Sequence, residues 1–73
     1  MIDDPQTPQP GQFWRHRNGI LYRVLFVANE GSDSPTYPPT VCYYTADRPF
    51  EHARKWARPL HDWHRSMTQE AAP

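Results

Sequence analysis

No other dipeptide in the chain constrains the fold as much as Asn18-Gly19, which stands between two runs rich in β-formers. Both residues tolerate positive φ, which a type I′ turn requires at its two central positions. Before the turn runs Phe13-Trp14-Arg15-His16-Arg17. After it, Ile20 to Val27 is an almost unbroken series of β-branched, aliphatic and aromatic residues. The spacing predicts a β-hairpin. Alternation along the second arm sets Ile20, Tyr22, Val24 and Phe26 on one face and Leu21, Arg23, Leu25 and Val27 on the other. With both faces largely apolar, this arm is expected at the centre of a curled sheet. The first arm, where Arg15 and Arg17 share a face with Phe13, is expected at an exposed edge.

The remaining elements follow from turn residues and periodicity. Glu30-Gly31-Ser32-Asp33-Ser34-Pro35 and Pro38-Pro39 mark an irregular stretch, after which Thr40 to Thr45 reads as a third strand. Asp47-Arg48-Pro49 turns the chain, and Phe50 to Trp56 is expected as a fourth strand. Pro59 suits a first helical position, and Leu60, Trp63 and Met67 fall at the i, i+3, i+7 spacing of one helical face. Residues 1–11, with Pro5, Pro8 and Pro10, are expected to be a disordered lead-in. A single small domain spans 12–67, and 68–73 are expected to fray. The fold class is therefore mainly β, a small α+β unit. It is either a three- to four-stranded antiparallel curled sheet or an SH3-like barrel, with a short C-terminal helix and a disordered N-terminal tail.

A chain of 73 residues buries little surface, and its aromatic residues must compensate. Lys and Arg number 8, as do Asp and Glu, which argues against a general nucleic-acid binder. The charges are nonetheless segregated. Residues 13–27 hold Arg15, Arg17 and Arg23 with no acid, whereas 28–47 hold Glu30, Asp33 and Asp47 with no base. The lone Cys42 cannot form an internal disulfide, and the opening MIDDPQTPQP has no secretory pattern. With no window long and apolar enough for a membrane helix, a cytoplasmic setting away from any membrane is expected.

No catalytic constellation is visible. His61-x-x-His64 with His16, His52 and Cys42 lacks the paired spacings of a zinc site, so no metal and no other cofactor is expected. Cys42 sits between apolar neighbours, where thiols are mostly inert packing. His61-Asp62 are adjacent helical positions that do not face each other. The chain reads as a non-enzymatic binding module. Its contact residues are expected to be Phe13, Trp14, Arg15, His16 and Arg17 on the first arm, with Arg54 and Arg58 nearby. Arginine mixed with aromatics suits both protein hot spots and single-stranded nucleic acid. Neutral total charge favours the protein partner and leaves nucleic acid second.

Gly11-x-Phe13-Trp14-Arg15-His16, Asn18-Gly19, Tyr22-x-Val24 and Ala28 are followed in order by Val41-x-Tyr43 and Trp56-x-Arg58-Pro59. This order resembles a short uncharacterised bacterial and phage domain with the pattern G-x-Y-R-H-x-K-G, Y-x-V, V-x-Y and W-x-R-P, over residues 11 to about 64. The chain departs from the pattern in the extra Trp14, in Arg17-Asn18 for an aromatic-lysine pair, and in Asn29-Glu30 where a histidine often follows the alanine. In length and type the chain is also similar to the small transcription regulators of lytic phages. That likeness implies a monomer that binds host bacterial RNA polymerase, inhibits transcription initiation and promotes antitermination.

Overall fold

The computed structural model describes residues 7–71. The hairpin at Asn18-Gly19 joins β1 (Phe13–His16) to β2 (Leu21–Ala28), with Trp14 opposite Tyr22 and Arg15 opposite Leu21. Its turn is not type I′, because only Gly19 has a positive φ, +98°. Gly19 N–H donates to the His16 carbonyl and His16 N–H to the Ile20 carbonyl, so Arg17, Asn18 and Gly19 form a three-residue loop. This is the arrangement in which a tight turn is followed by a left-handed glycine. Asn18 acts through its side chain instead: Oδ1 accepts from Ile20 N–H at 3.0 Å, while its own N–H donates to His16 Nδ1 at 3.0 Å.

β3 (Thr40–Thr45), β4 (Lys55–Pro59) and β5 (Met67–Glu70) complete a five-stranded antiparallel sheet of order β4-β3-β2-β1-β5. The fold is mainly β with one short helix, and the sheet stays open rather than closing as a barrel. β2 is central, as the sequence predicts. β1 is not an edge strand: residues 68–70, expected to fray, continue from Met67 as a strand paired with it, Phe13 opposite Glu70 and His16 opposite Met67. The physical reason is the outer row of β1 backbone groups, which needs partners once β1 pairs with β2. β5 supplies them.

Two further expectations change. Phe50–His52 is a single 3-10 turn rather than part of a strand, and β4 begins only at Lys55. Ala53 N–H closes that turn on the Phe50 carbonyl, and Ala53 itself is buried. The helix α1 is one turn, Leu60–Trp63, with Pro59 as its N-cap rather than its first residue. Met67 lies beyond it, in β5. Leu60, Trp63 and Met67 still pack on one core, because a turn leading into a strand buries the same positions as a longer helix. The lead-in is also partly ordered. Pro8 is fully buried, and Gly11 and Gln12 exchange backbone hydrogen bonds with Val24, extending β1 along β2. Residues 1–6 of the expected tail lie outside those described.

The core fills one face of the sheet, built from Trp14, Tyr22, Val24, Val41, Tyr43, Trp63 and Met67. Its aromatic rings meet edge to face in a chain. Trp14 and Trp63 lie 5.6 Å apart at 71°, Trp63 and Tyr43 4.9 Å apart at 77°, and Tyr43 and Tyr22 5.0 Å apart at 87°. Such contacts each add about 0.5–1.5 kcal/mol beyond area burial. Between Val24 and Phe26 the β2–β3 register slips, so that Leu25 is an extra residue. This bulge reverses the side-chain alternation. Val27 opposite Val41 then packs against the core, while Phe26 turns to solvent at 52% exposure. The bulge therefore removes Phe26 from the face it was expected to share with Tyr22 and Val24.

Candidate functional surface

The predicted contact residues do not form one surface. Trp14 is 4% exposed and sits in the core, its indole N–H donating to Gln12 Oε1 at 3.1 Å. His16 is spent on the hairpin loop through the Asn18 bond. Arg17 stands exposed in that loop, tied to the body through its backbone N–H and the Ser66 carbonyl at 2.9 Å. Arg54 lies at the far end of the molecule, beside a shallow concavity lined with Thr45, Asp47 and Arg48. Arg58 faces inward. Its guanidinium donates to the Tyr43 hydroxyl at 3.5 Å, Asp62 Oδ2 at 3.4 Å and Ser66 Oγ at 3.2 Å.

These contacts make Arg58 the polar staple that holds α1 and the start of β5 beneath the sheet. The hydrogen bond to Tyr43 is the main cause that raises its pKa above the ordinary arginine value, with Asp62 adding to it. Tyr22, in the same layer, has its phenol pushed up from the ordinary value of 10.0 first by burial and then by the neighbouring Tyr43. Such a network gives Arg58 a structural task. Trp63 Nε1 is the one buried side-chain polar atom among the described residues with no hydrogen-bond partner. It lies within the aromatic chain, edge-on to the rings of Trp14 and Tyr43.

Only Phe13 and Arg15 of the predicted set share the outer face of the sheet, the face opposite the core. There the register aligns Glu70, Phe13, Arg23, Tyr44 and Lys55 as directly opposed neighbours on the five strands, β5 through β4. At about 4.8 Å between strands, this row spans roughly 19 Å. Charged and aromatic side chains alternate along it. The Arg23 guanidinium lies 5.1 Å from the Phe13 ring centre and its Nε donates to the Gly11 carbonyl at 3.2 Å. Lys55 Nζ lies 4.3 Å from the Phe50 ring centre and bonds the Phe50 carbonyl. Phe50 in turn meets Tyr44 edge to face at 5.4 Å.

Glu70 at the end of the row is held by Arg15 in a two-pronged ion pair, Nε to Oε2 at 2.5 Å and Nη2 to Oε1 at 3.1 Å. That contact lowers the Glu70 pKa and raises the Arg15 pKa, with the hydrogen bond as the leading cause in each. Arg15 thus spends its charge within the molecule. A second, apolar row runs beside the first, with Phe26 opposite Cys42 and Cys42 opposite Ala57. At one end of this face the 3-10 turn lays Phe50 against Tyr44 and Lys55.

Arg23, Phe26, Tyr44, Phe50 and Lys55 are residues that the sequence reading did not place at a contact surface. Arg23 carried a signal, as the one charge in an otherwise apolar strand. Phe26 carried none, since its exposure depends on the bulge. No group of three or more metal-ligating side chains comes together among the described residues, and no helix there is long and apolar enough to cross a membrane. No family model, curated protein or solved structure matches the chain.

Proposed function

We propose that the chain is a non-enzymatic binding protein, encoded by a phage and acting as a monomer in the host cytoplasm. Its partner is host RNA polymerase, on which it inhibits initiation and promotes antitermination. The observation that supports a binding role is the outer face of the sheet, where exposed Arg23 and Lys55 alternate with half-buried Phe13 and Tyr44 beside the exposed rings of Phe26 and Phe50. Exposed aromatic and arginine side chains on a rigid platform are the ingredients of protein hot spots. The choice of polymerase rests on the likeness of the chain, in length and type, to small phage transcription regulators.

A rigid sheet that grips one conformation of a mobile enzyme shifts its equilibrium by the difference in affinity between states. Binding to a closed or factor-free state would block initiation without any chemistry on the regulator. The test is retention of purified bacterial polymerase, and of its separate subunits, on the immobilised full chain. Retention at micromolar concentration is expected. No retained subunit refutes the polymerase assignment.

The same face favours a second reading, a single-stranded nucleic-acid module in which bases stack on Tyr44 and Phe50 while Arg23 and Lys55 meet phosphates. A gel shift at two salt concentrations separates the two readings, because phosphate binding weakens steeply with salt.

A further inference from the structure

We propose that the outer face of the sheet is the seat of a single acidic amphipathic helix of the partner protein, laid along the row Phe13, Arg23, Tyr44 and Lys55. This rests on the binding reading above and names the surface and the chemistry of its occupant.

Antiparallel sheets with one wet face ordinarily carry polar side chains there. Here that face instead exposes Phe26 at 52% and Phe50 at 48%, with Cys42 and Tyr44 between them half-buried. The core face already has α1 and the aromatic chain, so a helix on the outer face would complete a helix–sheet–helix sandwich, a common layer arrangement. The dimensions agree. A helix along a row of roughly 19 Å uses about 13 residues at 1.5 Å each, between three and four turns.

Charge selects the sign of that helix. Within the row the only carboxylate, Glu70, is neutralised by Arg15, and Arg23 and Lys55 have no acidic partner among the described residues. Glutamates flanking an apolar stripe would meet these cations while the stripe covers Phe26 and Tyr44. A second copy of the chain is disfavoured, because a two-fold pairing through this face brings Arg23 and Lys55 to both sides of the contact with no free carboxylate of the row to oppose them. Nucleic acid is disfavoured by the count of cations: two phosphate contacts give a salt slope of only about −1.4 for a single strand and correspondingly little affinity.

The experiment places a photo-crosslinking benzoylphenylalanine at position 26, 44 or, as control, 17 of the full chain, and irradiates each with purified bacterial RNA polymerase. Crosslinks from 26 and 44 into one acidic helical segment are expected, and F26E and R23E should each weaken retention at least tenfold with circular dichroism unchanged. Retention that survives both substitutions, with crosslinks only from 17, overturns the inference and leaves the polymerase assignment standing.

A second arm is independent of polymerase. It titrates a 16-residue peptide with leucines on one helical face and glutamates on the other, a lysine-for-glutamate counterpart, and a 15-mer oligothymidylate, each followed by amide chemical shifts. The glutamate peptide should bind at least tenfold tighter than the lysine peptide and shift the amides of β2, β3 and β4. Equal binding of the two peptides, tighter binding of the oligonucleotide, self-association through this face, or no shift at millimolar peptide overturns the inference. Peptide binding without polymerase retention removes the polymerase assignment alone.

Discussion

Met67→Ala tests whether β5 is anchored on the core at its first residue. In the structure Met67 is 4% exposed, packs in the core cluster with Trp14 and Trp63, and stands opposite His16 in the β1–β5 ladder. Truncating a buried methionine to alanine costs about 2–5 kcal/mol through lost transfer energy and the cavity left behind. A domain of this size has a total stability of about 4–11 kcal/mol, at roughly 0.05–0.15 kcal/mol per residue. A central value of about 3 kcal/mol is therefore a large share. At 4–8 °C per kcal/mol for small domains, it corresponds to a fall in Tm of about 12–24 °C. The measurement is thermal and urea unfolding by tryptophan fluorescence and circular dichroism, with the exposed Thr68→Ala as control, expected within about 0.5 kcal/mol of the parent. A chain loose from Met67 onward gives a different result: both substitutions would leave Tm within about 2 °C, and the docking of β5 on the core would be refuted.

The bulge at Leu25 predicts that Phe26→Ser changes stability by no more than about 0.5 kcal/mol, whereas Val27→Ser, on the core side, costs about 1–3 kcal/mol. Unbroken alternation would give the reverse order in urea unfolding. Gly19→Ala should cost about 1 kcal/mol or more through its φ of +98° alone, since nothing lies within 4 Å of an added Cβ. Tyr22 has a folded pKa above its unfolded value, so its contribution is complete below about pH 10 and is lost as pH rises through the folded pKa. Tyr22→Phe should flatten the alkaline limb of stability measured between pH 8 and 11. Glu70 is shifted the other way: its contribution is present above the unfolded value and lost as pH falls through the folded pKa, so Glu70→Gln should flatten the acid limb.

The strong local signals in the sequence led to the right elements. Asn18-Gly19 marked the hairpin, and the apolar run after it marked the central strand, because turn chemistry and continuous β-formers act over a few residues. What was illegible depends on pairing between distant segments. The sequence around Met67 satisfies a helical period and a strand equally, and only the unpaired edge of β1 decides between them. The type I′ expectation failed at Asn18 because both turn types accept Asn-Gly, and the bonds made by His16 and Ile20 select the longer loop. The proposed contact surface was the least legible. Arg15 and Trp14 are prominent as residue types, yet their partners Glu70 and Gln12 lie in segments that were expected to be disordered or at the edge of order. Phe26 entered the surface through one extra residue in β2, a slip that local propensity does not encode.

The pairing of β1 with β5 also bears on how the chain acquires its structure. Arg15 and Glu70 are 55 positions apart, and closing a loop of that length costs about 3.5 kcal/mol of entropy before a constant term. Both edges of β1 are satisfied only after residue 70 has been synthesised. A growing chain can form the β1–β2–β3 meander earlier, but it exposes the backbone of β1 and the lower half of the aromatic core until then. Folding should accordingly be cooperative and late, with rates set by a long-range closure rather than by the hairpin. During that interval the open edge of β1 is the site at which nascent copies can pair with one another.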